Sequence, residues 1–174
     1  MKLLLIGRPG AGKSTLASAI AQQTGWPILA LDQLWHADDY SAQAKQRFIA
    51  QQQAFMAAHE DWLIDGNYAS TLKQRVPQAD VIVWVRCNAL VALVRILRRS
   101  WRFAKDPSSR PEMPANFVEH WNREYVQFLW YVLRFSQVEK RCLQPVLAQL
   151  RETQRLVIVR TRKQKKQLLA TLSR

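Results

Sequence analysis

Residues 7 to 14 read Gly7-Arg8-Pro9-Gly10-Ala11-Gly12-Lys13-Ser14, a complete G-x-x-x-x-G-K-[ST] pattern. A triphosphate presents many anionic oxygens in a small volume, so its binding needs many donors close together. Glycines let the backbone approach closely and adopt positive φ, so that successive N–H groups can converge on the phosphates. Lys13 then reaches the β- and γ-phosphates, the Ser14 hydroxyl can hold Mg²⁺, and Thr15 continues the phosphate-binding segment. The pattern predicts a site for the phosphates of a nucleotide.

Three further polar groups stand where such a ligand would react. Asp65 follows the apolar run Trp62-Leu63-Ile64 and is placed to hold Mg²⁺ directly or through a water; the alternative is a helix or turn cap. Asp32 follows a second apolar run and is placed to bind, or take the proton of, an acceptor hydroxyl; the alternative is a cap on the Asp32-Gln33-Leu34 turn. Arg95, Arg98, Arg99 and Arg102 follow i, i+3, i+4, i+7 spacing, which puts four guanidinia on one helix face. Like charges so packed repel, and a migrating phosphoryl group supplies the compensating anion. A solvent-facing basic helix is the alternative reading of that stripe. Trp35, His36 and Tyr68 can stack on or bond an acceptor, whereas Trp62, Trp84 and most aromatics between Phe117 and Phe135 read as core.

These groups require strands that end at one edge. Lys2 to Ile6 reads as a buried parallel strand and Ser14 to Gln23 as the helix whose N-terminus faces the phosphates. Further strands are expected at Pro27–Leu31, Trp62–Ile64, Val81–Val85 and Leu156–Val159. Ser41 caps a helix to about His59, and Asn88 caps one from Ala89 to about Phe103. Asn116 with Glu119 starts another that continues, with a break, to Leu150, and Thr161 with Gln164 starts the last. Strands alternating with helices predict a parallel sheet covered on both faces. In such a sheet, ligands bind beyond the carboxyl ends of the strands. Three prolines between Lys105 and Pro114 make that stretch a loop. With Arg110 in it and the arginine stripe beside it, the segment of about 100–116 reads as a lid over the phosphates.

Composition bounds the reading. With 174 residues and 48% hydrophobic content, one domain, 1–174, can bury a substantial core. No stretch approaches the roughly 18 apolar residues of a membrane span. The apolar start runs into Arg8 and the glycine loop, which reads as a strand and not as a signal peptide. Cys87 and Cys142 lack C-x-x-C spacing and are expected to be reduced, as in a cytoplasmic protein. Residues 1 to 85 hold seven basic and seven acidic residues, so the whole net charge of +13 lies in residues 86 to 174. That asymmetry implies anionic ligands, either phosphates in a cleft or a nucleic-acid backbone. For the terminal cluster Arg162 to Lys166, a solvated basic face is an equal alternative.

On these residues the chain resembles the nucleoside and nucleotide kinase group of P-loop proteins. Trp62-Leu63-Ile64-Asp65-Gly66 is similar to the strand-Asp-Gly motif of adenylate kinases, and Arg95-Ile96-Leu97-Arg98-Arg99 to the helix leading into their lid. The resemblance implies a P-loop NTPase fold, a three-layer α/β/α arrangement whose five-stranded sheet runs 2-3-1-4-5, with a small helical lid. It also implies a Mg-ATP donor, Arg95 near the adenine, Arg99 on the transferring phosphates and Arg162 near the base. Over nearly its whole length the chain is more closely similar to the bacterial topology modulation (FlaR-related) proteins. Leu31-Asp32-Gln33-Leu34-Trp35, Ile64 to Tyr68, Arg110-Pro111-Glu112-Met113 and Arg160-Thr161-Arg162 carry that likeness.

Adenylate kinases follow Asp-Gly with Phe-Pro-Arg, where this chain has Asn67-Tyr68-Ala69. That departure points away from AMP, and Asp32 is placed like the acidic residue of kinases that phosphorylate hydroxyls; Arg75 is the candidate for recognising acceptor charge. The function expected is transfer of the ATP γ-phosphoryl group to a small nucleoside, nucleotide or hydroxyl-bearing acceptor. Lys13, Asp32, Asp65, Arg99 and Arg110 would carry it. The alternative is a nucleotide-responsive, topology-modulating DNA-binding protein.

Overall fold

Leu3, Leu4, Leu5 and Ile6 are all completely buried, which only a strand flanked and covered on every side achieves. In the computed structural model, which describes residues 1–106, 109 and 122–172, they form the middle of β1 (Lys2–Gly7). The chain continues through α1 (Lys13–Thr24), β2 (Ile28–Ala30), α2 (Leu31–His36), α3 (Ala42–Ala58), β3 (Trp62–Asp65), α4 (Ala69–Arg75) and β4 (Val81–Val85). It closes with α5 (Ala89–Lys105), α6 (Arg123–Val138), α7 (Gln144–Leu147), β5 (Arg155–Val159) and α8 (Arg162–Leu172).

The five strands are parallel in the order β2-β3-β1-β4-β5, as expected. Register sets the chemistry at the strand ends. Leu5 pairs with Asp65 and Ala30 with Asp65, so β2 and β3 end level with one another and β1 runs on past them to Gly7. Alternate residues of the central strands feed opposite faces. Leu4, Ile6, Ile64, Ile82 and Trp84 pack with Phe48, Met56, Leu72, Phe135 and Leu143. Leu3, Leu5, Leu63, Val81, Val83 and Val85 pack with Leu16, Ala17, Ile20 and Leu168. The result is the expected three-layer α/β/α arrangement, with α1 and α8 on one face and α3, α4, α6 and the helical turn before α7 on the other.

Local capping signals hold. The Ser41 side chain accepts from the Ala44 N–H at 3.0 Å, and the Asn88 side chain from the Leu90 N–H at 2.9 Å. Thr161 and Gln164 form a reciprocal box, in which the Gln164 N–H donates to the Thr161 hydroxyl and the Thr161 N–H to Gln164 Oε1. The expected break before Leu150 is a π-helical turn at Glu139–Leu143. Pro145 has no N–H for the Arg141 carbonyl, and the wider turn absorbs that loss.

Two expectations need correction. β2 stops at Ala30, and Leu31 and Asp32 instead open α2, because Leu31 turns inward to complete burial beneath Gly66. Trp130 and Tyr131 are exposed and not core: α6 buries Tyr125, Val132 and Phe135, with Trp130 on the opposite side of its helical wheel and Tyr131 at the edge of the buried face, its ring against Phe135. Arg110, most of the proposed lid and the helix start at Asn116 and Glu119 lie outside the described residues. Among the described residues, no helix is long and apolar enough to cross a membrane.

Candidate active site

The loop between β1 and α1 is fixed by close backbone approach. A Cβ on Gly7 (φ +136°) would fall 1.9 Å from the Val85 carbonyl oxygen, and one on Gly10 (φ +77°) would fall 2.7 Å from that of Ala92. No side chain fits either place, so the loop lies flat against the end of β4 and the first turns of α5.

Cations hold the loop's carbonyl groups. Lys13 Nζ donates to the Gly7 oxygen at 2.9 Å and the Arg8 oxygen at 3.2 Å. Lys165 Nζ, from α8, donates to the Ala11 and Gly12 oxygens at 2.8 and 3.1 Å. Arg95 reaches the Gly10 oxygen at 3.5 Å. Burial lowers the pKa of Lys13; the Asp65 and Asp32 carboxylates oppose the shift, and Arg99 adds to it. Burial also lowers Lys165, with Arg95 adding to the effect.

Asn67 supplies a link that sequence reasoning did not find. Its Oδ1 accepts from the Gly7 N–H at 2.8 Å, while its Nδ2 donates to the Gly7 carbonyl at 2.7 Å. This side-chain amide therefore fastens the end of β3 to the start of the loop.

Asp65 ends β3 and is buried; Asp32 is exposed in the first turn of α2. Both line one cleft with Ser14, Ser18, Ile28 and Ala30. A carboxylate and a hydroxyl in an open cleft suit Mg²⁺, which keeps several of its waters and takes one or two protein oxygens. Asp32 Oδ1 accepts from the Tyr68 hydroxyl at 3.0 Å. Tyr68 stands at φ +36° and is half-buried among Trp35 and Phe48, and its phenol is pushed far up by that burial and by Asp32. His36 pairs with the Tyr40 hydroxyl at 2.9 Å, on the far side of Trp35.

Other expected site residues separate. Arg8 is buried and faces away from the loop: its guanidinium donates to the Val132 carbonyl at 2.5 Å and lies over Phe135. Only its backbone belongs to the phosphate site. Arg75 is completely buried, donating to the Gly66 carbonyl at 3.0 Å, the Tyr68 carbonyl at 3.1 Å and the Asn67 carbonyl. It shapes the turn after β3 and does not reach an acceptor, and burial lowers its pKa to about 10. Of the arginine stripe, Arg95 and Arg99 adjoin the loop and Lys13, whereas Arg98 and Arg102 are exposed. Arg162 is exposed at the start of α8, one turn before Lys165; Pro9 is half-buried and Thr15 exposed. Among the described residues, no three His, Cys, Asp or Glu side chains cluster as a metal centre.

The comparisons with known proteins agree with this geometry. The family model described as "ATPase family associated with various cellular activities (AAA)" matches residues 3–61, from β1 to just short of β3. No curated protein matches the chain. Among solved structures, a candidate kinase of Chloroflexus aurantiacus J-10-fl aligns with TM-score 0.60 and 16% identity, covering 98% of this chain and 95% of that one. Shikimate kinase from Bacteroides thetaiotaomicron aligns with TM-score 0.57 and 16% identity, covering 98% and 94%. A gluconokinase from Sinorhizobium meliloti 1021 gives TM-score 0.50 and 17% identity, covering 99% and 93%. At such identities the likeness is one of architecture. The chain has the fold of the small P-loop kinases.

Proposed function

We propose that this protein transfers the γ-phosphoryl group of Mg-ATP to a hydroxyl of a small molecule. One observation carries the reading: Asp32 and Asp65 line the same cleft as Ser14, with Lys13 beside them. Ser14 and Asp65 would hold Mg²⁺, which on binding neutralises charge on the β- and γ-phosphates. The loop amides and Lys13 bind and orient the phosphates, and Arg99 stabilises the charge that builds during transfer. Arg110, in a lid of about 100–116, would add to that charge neutralisation when closed. Arg95 and Arg162 would line the adenine side. Asp32 would bind the acceptor hydroxyl and take its proton as the acceptor oxygen bonds to the γ-phosphorus. The β–γ bridging P–O bond breaks, and its electron pair leaves with ADP.

The test is ADP release from Mg-ATP, with wild type and Lys13→Ala compared over nucleosides, nucleoside monophosphates, sugars, hydroxy acids and duplex DNA. Lys13-dependent stimulation by a small molecule is expected, with turnover falling by about 10²–10³-fold in the variant, the scale for a lost charge-stabilising donor. Undiminished turnover in Lys13→Ala would sink the assignment. Stimulation by DNA alone would favour the nucleic-acid reading instead, for which the fold offers no specific support.

A further inference from the structure

The stretch from residue 28 to residue 75, which supplies Ile28, Ala30, Asp32 and Asp65 to the cleft, carries four basic residues: Lys45, Arg47, Lys73 and Arg75. Arg75 is completely buried and spends its guanidinium on the carbonyls of Gly66, Asn67 and Tyr68. Arg47 is held by Asp38 at 2.9 and 2.5 Å and by Asp39 at 3.5 Å. Lys45 and Lys73 are exposed on the outer surfaces of α3 and α4. From α6, whose Tyr131 lies close enough to Asp32 to feel its charge, Arg134 is exposed and stacked on Trp130. Among the described residues, the cations that adjoin the cleft, Lys13 and Arg99, stand on its phosphate side.

Among the described residues, the acceptor side offers a carboxylate beside an aromatic cluster. Tyr68 occupies Asp32 Oδ1, and Oδ2 has no described partner. The half-buried Tyr68 reaches that carboxylate through its hydroxyl, and the half-buried Trp35 ring, three residues on from Asp32 along α2, lies 6.1 Å from the Tyr68 ring, centroid to centroid. A carboxylate accepts from hydroxyl or ammonium donors and repels anions, and apolar ring faces suit the C–H surfaces of a sugar or the plane of a base.

From this arrangement we infer that the acceptor is a neutral or cationic hydroxyl compound carrying a ring, such as a nucleoside, sugar or aminocyclitol, and not a carboxylate or phosphomonoester. The inference rests on the kinase reading above and narrows it. The acceptor hydroxyl donates to Asp32 Oδ2 and passes its proton there as its oxygen takes the γ-phosphoryl group, with ADP leaving as described.

The experiment measures Lys13-dependent ADP release with matched pairs. Thymidine is set against its 5′-monophosphate, glucose against gluconate, and an aminocyclitol against an acidic cyclitol, each beside Lys13→Ala. In any pair that stimulates, the neutral or cationic member is expected to show a kcat/KM at least tenfold above its anionic partner. Asp32→Asn is expected to shrink that ratio as well as the rate, which loss of packing alone would not do. An anionic member equal to or better than its partner overturns the acceptor class and leaves the kinase reading standing. Absence of Lys13-dependent stimulation by every compound overturns the kinase reading, and the acceptor class falls with it.

Discussion

The ammonium of Lys13 sits on two carbonyls of its own loop, within reach of the fields of Asp65, Asp32 and Arg99. On the proposed reading a nucleotide would draw Lys13 off those carbonyls, so the geometry of the loop's first residue would matter as much as the lysine. That residue, Gly7, is held by both ends of the Asn67 side-chain amide. Asn67→Ala removes both bonds, taking from the Gly7 N–H its side-chain acceptor and leaving the Gly7 carbonyl to Lys13. At about 1 kcal/mol per net hydrogen bond, kcat/KM should fall by roughly ten- to thirtyfold. Steady-state kinetics with varied ATP check this, and Asn67→Asp, which keeps the acceptor and loses the donor, should fall between. The position of the loop after β1 and that of Asp65 at the end of β3 were legible because local spelling marks a loop or a strand end, whereas Asp32, expected at a strand end, stands in the first turn of α2. Asn67, Lys165, Arg75 and the diversion of Arg8 were not legible. Each of these depends on a side chain meeting a backbone group at a place that only the folded topology defines. Lys165 meets Ala11 from 154 positions away and Arg8 meets Val132 from 124.

At the scale of elements, the turn between α2 and α3 is closed by charge. Arg47, in the second turn of α3, donates to both oxygens of Asp38, and Asp38 in turn accepts from the Asp39 N–H. These bonds hold the Asp38 carboxyl at about 2, below the ordinary carboxylate range. A folded pKa below the unfolded one contributes stability above about pH 4 and loses it as pH falls toward 2. Arg47→Ala should return Asp38 toward the ordinary carboxylate range, a shift that side-chain carboxyl NMR titration would read; an unmoved Asp38 would refute the clasp. The effect on global stability at neutral pH should be small, since the pair is largely solvent-exposed. Helix starts were the most readable parts of the chain, because a cap is a contact within three residues. The end of β2 was misplaced by one residue, because an apolar Leu31 satisfies a strand and an inward-facing helix turn equally well.

For the molecule as a whole, the site is assembled from distant segments: β1 and its loop, Asn67 after β3, Arg95 on α5 and Lys165 on α8 all meet at one edge of the sheet. A ligand that joins these pieces should stabilise the fold cooperatively. Mg-ATP at about 100 times its Kd should add about 2.7 kcal/mol to the unfolding free energy. Thermal denaturation should show a rise in Tm for wild type and a much smaller one for Lys13→Ala. An equal rise in both would place the nucleotide elsewhere. The positive balance of residues 86 to 174 fits this picture in part. Arg95, Arg99 and Lys165 converge on the loop, while Arg98, Arg102 and Arg162 remain at the surface. Composition registered the excess charge but held no information about which cations would turn inward.

The order of the strands has a consequence for how the chain is made. Ribosomes deliver β1 first and β2 second, yet those two strands never touch; β2 pairs only with β3, and β1 lies between β3 and β4. A nascent chain that has not yet released Trp62–Asp65 from the ribosome therefore carries two apolar strands with no backbone partner for either. Such edges attract other chains, and parallel pairings form slowly because their loops must close first. The interval before β3 emerges is thus when this polypeptide most needs a chaperone's shelter, and a ribosome stalled short of that strand should be the worst aggregator of any truncation series.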